Sequence, residues 1–89
     1  MPRLLATVGS RNGLHARPAS LFVQAAARHP VKVSVGKPGG TPVDARSLLS
    51  VLALAARHGE TLELHAEGDQ AQDALEELAG LLATDLDTT

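Results

Sequence analysis

The apolar residues of this chain recur with two periodicities, one typical of strands and one typical of helices. Alternation of apolar and polar residues predicts strands over Arg3–Val8, Val31–Val35 and Thr61–Glu67. Apolar residues spaced three and four apart predict a helix over Ala16–Arg28 and another after Gly68. Because the two kinds of segment alternate along the chain, we expect one domain that combines strands and helices.

The first predicted helix has clear signals at both ends. Pro18 falls in its first turn, where a missing N–H has no cost. The pair His29-Pro30 ends the helix, since the residue before a proline disfavours helical backbone. The residues expected to form its buried stripe are Ala19, Phe22, Val23 and Ala26.

The middle of the chain predicts a short strand and a second helix. Thr41–Asp44 follows a turn rich in glycine and proline and is expected to return as a strand. Its Pro42 lacks a backbone N–H and is tolerated only at the edge of a sheet or at an unpaired position. The second helix is predicted over Ser47–Arg57, with Ser47 as its N-cap and His58-Gly59 as its end.

The last helix is predicted to begin with a capping pair formed by Asp69 and Gln72. Its apolar stripe consists of Ala71, Ala74, Leu75, Leu78, Leu81 and Leu82. The predicted order of elements is β-α-β-β-α-β-α. Since the helices and the strands each have one apolar face, the fold class is α+β with two layers, in which the helices cover one face of the sheet.

The composition narrows the class of protein. A length of 89 residues suits a single domain over residues 1–89, with Asp85–Thr89 expected as a frayed acidic tail. The net charge is -2 and the basic residues are scattered, which argues against nucleic-acid binding. No targeting signal or long apolar run stands out, so we expect a cytoplasmic protein without membrane insertion.

Cysteine and histidine restrict the chemistry further. The chain has no cysteine, which excludes a disulfide scaffold and a thiol nucleophile. His29, His58 and His65 are interpreted as structural or incidental, and the histidines show no short metal-ligand spacing. We therefore expect neither a metal site nor a cofactor.

The setting of His15 differs from that of the other histidines, because it stands between a glycine-bearing loop and the first helix. The first-turn N–H groups of a helix lack intrahelical partners and attract anions. Arg17 can pair with a phosphate, and a neutral imidazole is a nucleophile. The segment predicts phosphoryl chemistry, although a histidine that merely caps a helix is the competing interpretation.

Two stretches of the chain resemble the HPr family, the histidine-containing phosphocarriers of the phosphoenolpyruvate-dependent sugar phosphotransferase system. Gly13–Ser20, with the sequence GLHARPAS, is similar to the family's active-site motif. Val43–Leu52, with the sequence VDARSLLSVL, is similar to its regulatory-serine helix. The resemblance covers essentially the whole chain. It implies an open-faced β-sandwich, with three helices on one face of a four-stranded antiparallel sheet whose third strand is an edge.

The resemblance also implies a role for each residue of the first motif. His15 would be phosphorylated by enzyme I on Nδ1, with phosphoenolpyruvate as the ultimate donor, and Arg17 would neutralise the phosphoryl charge. The first turn, formed by Ala16, Arg17 and Pro18, would cradle the phosphate. The phosphoryl group would pass to an enzyme IIA domain of a sugar permease. The chain would be a carrier and not an enzyme with turnover of its own.

Ser47 has two interpretations. It matches the serine that an ATP-dependent kinase phosphorylates in many Gram-positive relatives, which implies a serine kinase, a phosphatase and transcriptional regulators as partners. A serine that caps a helix also needs no regulatory reason. Ser50 stands where many relatives carry glycine, a departure that affects how a partner or kinase packs against this helix.

The second helix has more apolar residues than one face can bury, namely Leu48, Leu49, Val51, Leu52 and Leu54. One interpretation is a fully buried helix, and the other is a partner-binding patch. The resemblance favours the patch and implies that His15 is ringed by Leu14, Ser20, Leu48, Leu49 and Leu52. Docking through a single surface favours a monomer. Two alternatives stay open, a paralogous carrier of a nitrogen-related regulatory chain and a non-catalytic interaction module that uses the Leu48–Leu52 patch.

Overall fold

The four strands form one antiparallel sheet in the computed structural model, which describes residues 3–84. The predicted frayed tail at 85–89 therefore lies outside the described residues. The spatial order of the strands is β1-β4-β2-β3. Their bounds are β1 Arg3–Thr7, β2 Val33–Gly36, β3 Val43–Asp44 and β4 Thr61–Ala66. The third strand lies at an edge, as expected, and Pro42 immediately precedes it.

The pairing register gives the sheet one apolar face and one polar face. Leu64 lies opposite Leu4 on one side and opposite Val35 on the other, and these side chains point towards the helices. His65 and Glu63, which alternate with the buried residues of β4, lie on the opposite face. The alternation of the sequence therefore predicted the buried face of β4 correctly.

The three helices are α1 Ala16–Arg28, α2 Leu48–Ala53 and α3 Ala71–Ala83. They confirm the predicted element order and the open-faced sandwich. The core between the helices and the sheet is almost wholly aliphatic, and Phe22 is its fully buried aromatic residue. The apolar stripes of α1 and α3 face this core, with Val23 and Leu81 partly buried at its border.

The second helix is shorter than predicted. Ser47 is its N-cap, as expected, and its hydroxyl oxygen accepts a hydrogen bond from the Ser50 N–H at 3.3 Å. The helix ends at Ala53, however, and not at Arg57 with a stop at His58-Gly59. The chain leaves the helix because Ala55 adopts a positive φ of 51°.

The strand bounds and one cap also differ from the prediction. Strands β1 and β4 end one residue early, at Thr7 and Ala66, and β2 extends to Gly36. Strand β2 begins at Val33 and not at Val31, and β3 contains two residues only. The predicted capping pair of Asp69 and Gln72 is wrong, because α3 has Gln70 as its N-cap. The Ala71 N–H donates to the Gly68 carbonyl at 3.1 Å across a turn. The helix therefore begins at Ala71, one residue later than a cap at Asp69 requires.

Candidate active site

His15 occupies the N-cap of α1 on the surface of the domain. Its backbone is extended, with φ −109° and ψ −162°, and the side chain is exposed. The first intrahelical hydrogen bond runs from the Ala19 N–H to the His15 carbonyl at 2.8 Å. The imidazole makes no capping hydrogen bond to the helix. The backbone of His15 therefore begins the helix, while its side chain does not cap it.

The loop before His15 depends on a glycine. Gly13 has a φ of 82°, and a Cβ atom there would lie 2.7 Å from the Ala56 carbonyl oxygen. The Gly13 carbonyl accepts the His15 N–H at 3.1 Å. Only a residue without a side chain fits this backbone conformation and this close approach. Gly13 thus lets the chain turn into α1 directly beside the segment that follows α2.

Leu14 anchors the loop, which corrects its predicted place in the docking ring. Its side chain is only 4% exposed, and its N–H donates to the Ala56 carbonyl at 2.9 Å. An apolar side chain buried to this degree offers almost no surface to a partner. Leu14 instead holds the backbone next to His15 against the domain.

The other end of the loop is fixed to the end of α3. The Gly9 N–H donates to the Leu82 carbonyl at 2.8 Å. Ser10 is buried, and its hydroxyl donates to the Thr84 carbonyl at 3.4 Å. Two separate parts of the fold therefore hold the loop that leads to the exposed imidazole.

The first turn of α1 combines features that suit an anion. It contains no acidic residue, and Arg17 is exposed within it. The N–H groups of Ala16 and Arg17 precede the first intrahelical donor, so they belong to the positive end of the helix. Pro18 has no N–H and is buried, so its contribution is to fix the backbone at the helix start. A nucleophilic imidazole beside such a turn is suited to carry a phosphoryl group.

The second helix presents leucines at the surface. Leu49 is 82% exposed and Leu48 is 41% exposed, while Leu52 is partly buried and Val51 is fully buried. The interpretation of α2 as a fully buried helix is therefore wrong. Helices α1 and α2 pack against each other, which brings the exposed leucines onto the helical layer that also carries His15.

Two serines lie on this layer as well. Ser20 is partly exposed on α1 and accepts a hydrogen bond from the Gln24 amide at 3.1 Å. Ser47 is partly buried at the start of α2, and its hydroxyl donates to the Ser50 hydroxyl at 3.0 Å. The Ser47 hydroxyl is thus engaged in capping.

The approach to α2 contains an acidic residue whose charge is stabilised. The Arg46 N–H donates to Asp44 Oδ1 at 2.9 Å, and the Arg46 guanidinium lies 3.3 Å from the same oxygen. These contacts, the backbone hydrogen bond first, lower the pKa of Asp44 below its usual value of 3.8. The Ser47 N–H donates to the Asp44 carbonyl at 3.0 Å, so the same residue shapes the entry to α2.

The remaining histidines make structural contacts. His29 lies 3.0 Å from the Glu77 carboxylate, and His65 lies 2.9 Å from the Glu63 carboxylate. Over residues 3–84, no group of His, Asp and Glu side chains could hold a metal ion. His58 differs from both, because its Nδ1 lies 3.2 Å from the Ser10 carbonyl in the loop before His15. Sequence reasoning missed this contact, since His58 and Ser10 are far apart in the chain.

An exposed histidine at the start of a helix, in an open-faced α+β sandwich, is the arrangement of a histidine phosphocarrier domain. A family model described as the PTS HPr component phosphorylation site matches residues 4–84. Phosphocarrier protein HPr of Streptomyces coelicolor is 49% identical over 80 residues, covering 90% of this chain and 86% of that protein. The corresponding protein of Pseudomonas aeruginosa is 44% identical over 82 residues, covering 92% of this chain and 91% of that protein.

Solved structures agree with the sequence relatives. The crystal structure of HPr-C-His from Thermoanaerobacter tengcongensis superimposes with a TM-score of 0.87 at 32% identity, covering 98% of this chain and 97% of that chain. The chain belongs to the HPr family, the phosphocarriers of the sugar phosphotransferase system. Within residues 3–84, no helix combines the length and the apolar character that a membrane span requires.

Proposed function

We propose that this chain accepts a phosphoryl group from phosphorylated enzyme I on Nδ1 of His15 and passes it to an enzyme IIA domain of a sugar permease. The observation that carries the proposal is the exposed imidazole at the N-cap of α1, which is not used to cap the helix. It lies inside a family match that spans residues 4–84. The chain acts as a monomeric carrier in the cytoplasm, and the turnover belongs to its partners.

The chemistry is an exchange of bonds to phosphorus. The lone pair of the His15 imidazole forms a bond to phosphorus while the bond between phosphorus and the enzyme I residue breaks, and the reverse exchange delivers the group to the acceptor. Arg17 and the N–H groups at the start of α1 stabilise the negative charge of the phosphoryl oxygens. The helix that begins at His15 therefore supplies both the nucleophile and its electrostatic surroundings.

The exposed leucines of α2 provide the docking surface in this proposal. Aliphatic side chains bind by shape, so one patch can serve a donor and several acceptors. Because Leu49 is 82% exposed, Leu49→Ser leaves the core intact. We expect this variant to raise the KM for phosphorylation by enzyme I without changing the thermal unfolding midpoint. An unchanged KM would remove Leu49 from the docking surface.

The experiment that tests the function is phosphoryl transfer itself. The protein is incubated with enzyme I, magnesium and labelled phosphoenolpyruvate, beside His15→Ala and the matched control His65→Ala on the opposite sheet face. We expect acid-labile label on the wild type and on His65→Ala, and none on His15→Ala. Equal labelling of His15→Ala would contradict the proposal. Absence of label on all three, with enzyme I active on another carrier, would favour the interaction module or a different phosphotransfer chain.

The proposal includes regulation through Ser47. A phosphate on this residue places negative charge at the start of α2, next to exposed Leu48 and Leu49, where it weakens partner binding without unfolding the domain. Ser47→Asp and Ser47→Asn are matched, since both are good N-caps and differ in charge. We expect slower phosphorylation of His15 in Ser47→Asp alone. Equal rates in the two variants would contradict a regulatory role for charge at this position.

A further inference from the structure

The segment after α2 is bonded along its length to the loop before His15. We call residues 56–60 the clamp segment and residues 8–14 the His15 loop. Three backbone hydrogen bonds of 2.8 to 2.9 Å join them. They run from the Val8 N–H to the Glu60 carbonyl, from the Gly59 N–H to the Val8 carbonyl, and from the Leu14 N–H to the Ala56 carbonyl. The two ends of the His15 loop are thereby held by the clamp segment.

One side chain of the clamp segment reaches the middle of the loop. His58 Nδ1 lies 3.2 Å from the Ser10 carbonyl oxygen. A carbonyl oxygen only accepts, so Nδ1 carries the proton and donates. The same oxygen accepts the Gly13 N–H at 2.9 Å. The imidazole of His58 and the backbone of Gly13 therefore share one acceptor.

Two successive hydrogen bonds link the Ser10 carbonyl to the backbone of His15. Ser10 accepts from Gly13, and the Gly13 carbonyl accepts the His15 N–H at 3.1 Å. Gly13 itself resists displacement poorly, because glycine has wide backbone freedom. The Ser10 carbonyl is therefore a second anchor of the backbone at His15, beside the Leu14 N–H that is bonded to the Ala56 carbonyl.

Hydrogen bonds fix the backbone of the turn that carries His58. Glu60 closes the turn around it, with its carboxylate accepting the Arg57 N–H at 2.8 Å and its own N–H donating to the Arg57 carbonyl at 3.0 Å. Lys37 Nζ lies 3.2 Å from the same carboxylate. The Arg57 backbone hydrogen bond, followed by the Lys37 side chain, lowers the pKa of Glu60 below its usual 4.5.

We propose that His58 is a positioning residue for His15, and this inference rests on the proposed phosphoryl transfer. It acts through its hydrogen bond to the Ser10 carbonyl. This bond keeps the His15 loop in the conformation that orients the His15 imidazole towards the phosphoryl donor. When this hydrogen bond is absent, the loop samples other conformations, and the fraction of molecules ready to react falls. His58 does not contact the phosphoryl group in this role.

Two substitutions separate positioning from simple stability. His58→Ala removes the donor, while His58→Asn retains an N–H donor near the position of Nδ1. Since His58 is exposed, neither change opens a core cavity. We expect His58→Ala to lower kcat for phosphorylation by enzyme I roughly fivefold, the factor of one hydrogen bond, with an unchanged KM. His58→Asn should restore most of the rate. A wild-type rate in His58→Ala, or an Asn variant as slow as the Ala variant, would overturn the inference.

A second readout does not depend on phosphoryl transfer. Amide hydrogen exchange at Gly13 and Leu14 reports how firmly the His15 loop is held. We expect faster exchange in His58→Ala than in His58→Asn and the wild type, and equal exchange in all three would overturn the inference. If the wild type accepts no phosphoryl group, the proposed function fails, and the exchange rates still decide whether His58 holds the loop.

Discussion

Two helices of this domain begin at residues with similar extended backbones, yet they use the side chain of that residue differently. Ser47 at the start of α2 accepts a hydrogen bond from the Ser50 N–H and so caps its helix. His15 at the start of α1 makes no such bond. One N-cap side chain stabilises its helix, and the other is exposed at the proposed phosphorylation site.

The difference follows from how each helix is stabilised. Helix α1 has 13 residues and buries five of them, whereas α2 has six residues and buries only Val51. Short helices are marginal without capping or packing, while a long amphipathic helix is stabilised mainly by its buried face. Of these two helices, the one that begins at His15, the proposed phosphorylation site, therefore depends less on a cap.

The largest expected effect comes from replacing the reactive N-cap with a structural one. His15→Ser should abolish phosphorylation by enzyme I, because the nucleophilic imidazole is gone. Its serine should cap α1, so its free energy of unfolding should exceed that of His15→Ala by about 1 kcal/mol. Urea unfolding measures the difference. Equal stability of the two variants would show that the start of α1 gains nothing from a cap.

The next effect concerns the glycine that delivers His15 to its position. Gly13→Ala combines an unfavourable positive φ with a Cβ placed 2.7 Å from the Ala56 carbonyl oxygen. We expect a loss of about 1–3 kcal/mol in stability and slower phosphorylation, since the loop must shift. Chemical denaturation and the labelling rate provide the two measurements.

Gly39→Ala is the matched control for this change. Gly39 has a similar φ of 80° with nothing within 4 Å of an added Cβ. It should therefore show the backbone strain without the clash and without a slower labelling rate. Equal losses in the two variants would mean that the close approach to Ala56 does not matter.

A smaller effect is expected at the structural N-cap. Ser47→Ala removes the acceptor for the Ser50 N–H and should lower the free energy of unfolding by about 1 kcal/mol. Phosphorylation of His15 should proceed at the wild-type rate, because the cap serves α2 and not the reaction. A slower reaction at unchanged stability would reverse the roles assigned to the two helix starts.

The smallest effect depends on pH. The folded-state pKa of Asp44 is lowered by the Arg46 backbone N–H and guanidinium, so the carboxylate stabilises the fold above its ordinary pKa of 3.8. This contribution disappears as the pH falls through the lowered folded-state pKa. Asp44→Asn should therefore unfold at a lower temperature than the wild type near pH 7, with the gap closing as the pH falls through the lowered folded-state pKa of Asp44. A gap independent of pH would assign the effect to hydrogen bonding alone.

The sequence predicted the two helix starts better than the second helix end. Pro18 and His29-Pro30 fix the bounds of α1 locally, and the observed helix has the predicted bounds. The end of α2 was missed because its apolar run continues to Ala56, while tertiary contacts decide where the helix stops. The Ala56 carbonyl receives the Leu14 N–H, and Ala55 takes a positive φ to allow it.

The same long-range contacts explain what was missed in the site. The family resemblance implied that Leu14 belongs to the ring of docking residues around His15, yet the fold buries its side chain. The contact between His58 and Ser10 joins residues 48 positions apart. Local patterns lead to His15 as the proposed nucleophile, whereas the contacts of its loop are visible only in the folded chain.

The most direct measurement is to locate the phosphorus on one of the four histidine rings. Two-dimensional NMR of the labelled imidazole rings would be recorded before and after treatment with enzyme I and phosphoenolpyruvate. The account predicts that phosphorus is bonded to Nδ1 of His15 while the rings of His29, His58 and His65 remain unmodified. A phosphoryl group on another ring, or on no ring at all in the presence of an active cognate enzyme I, would contradict it.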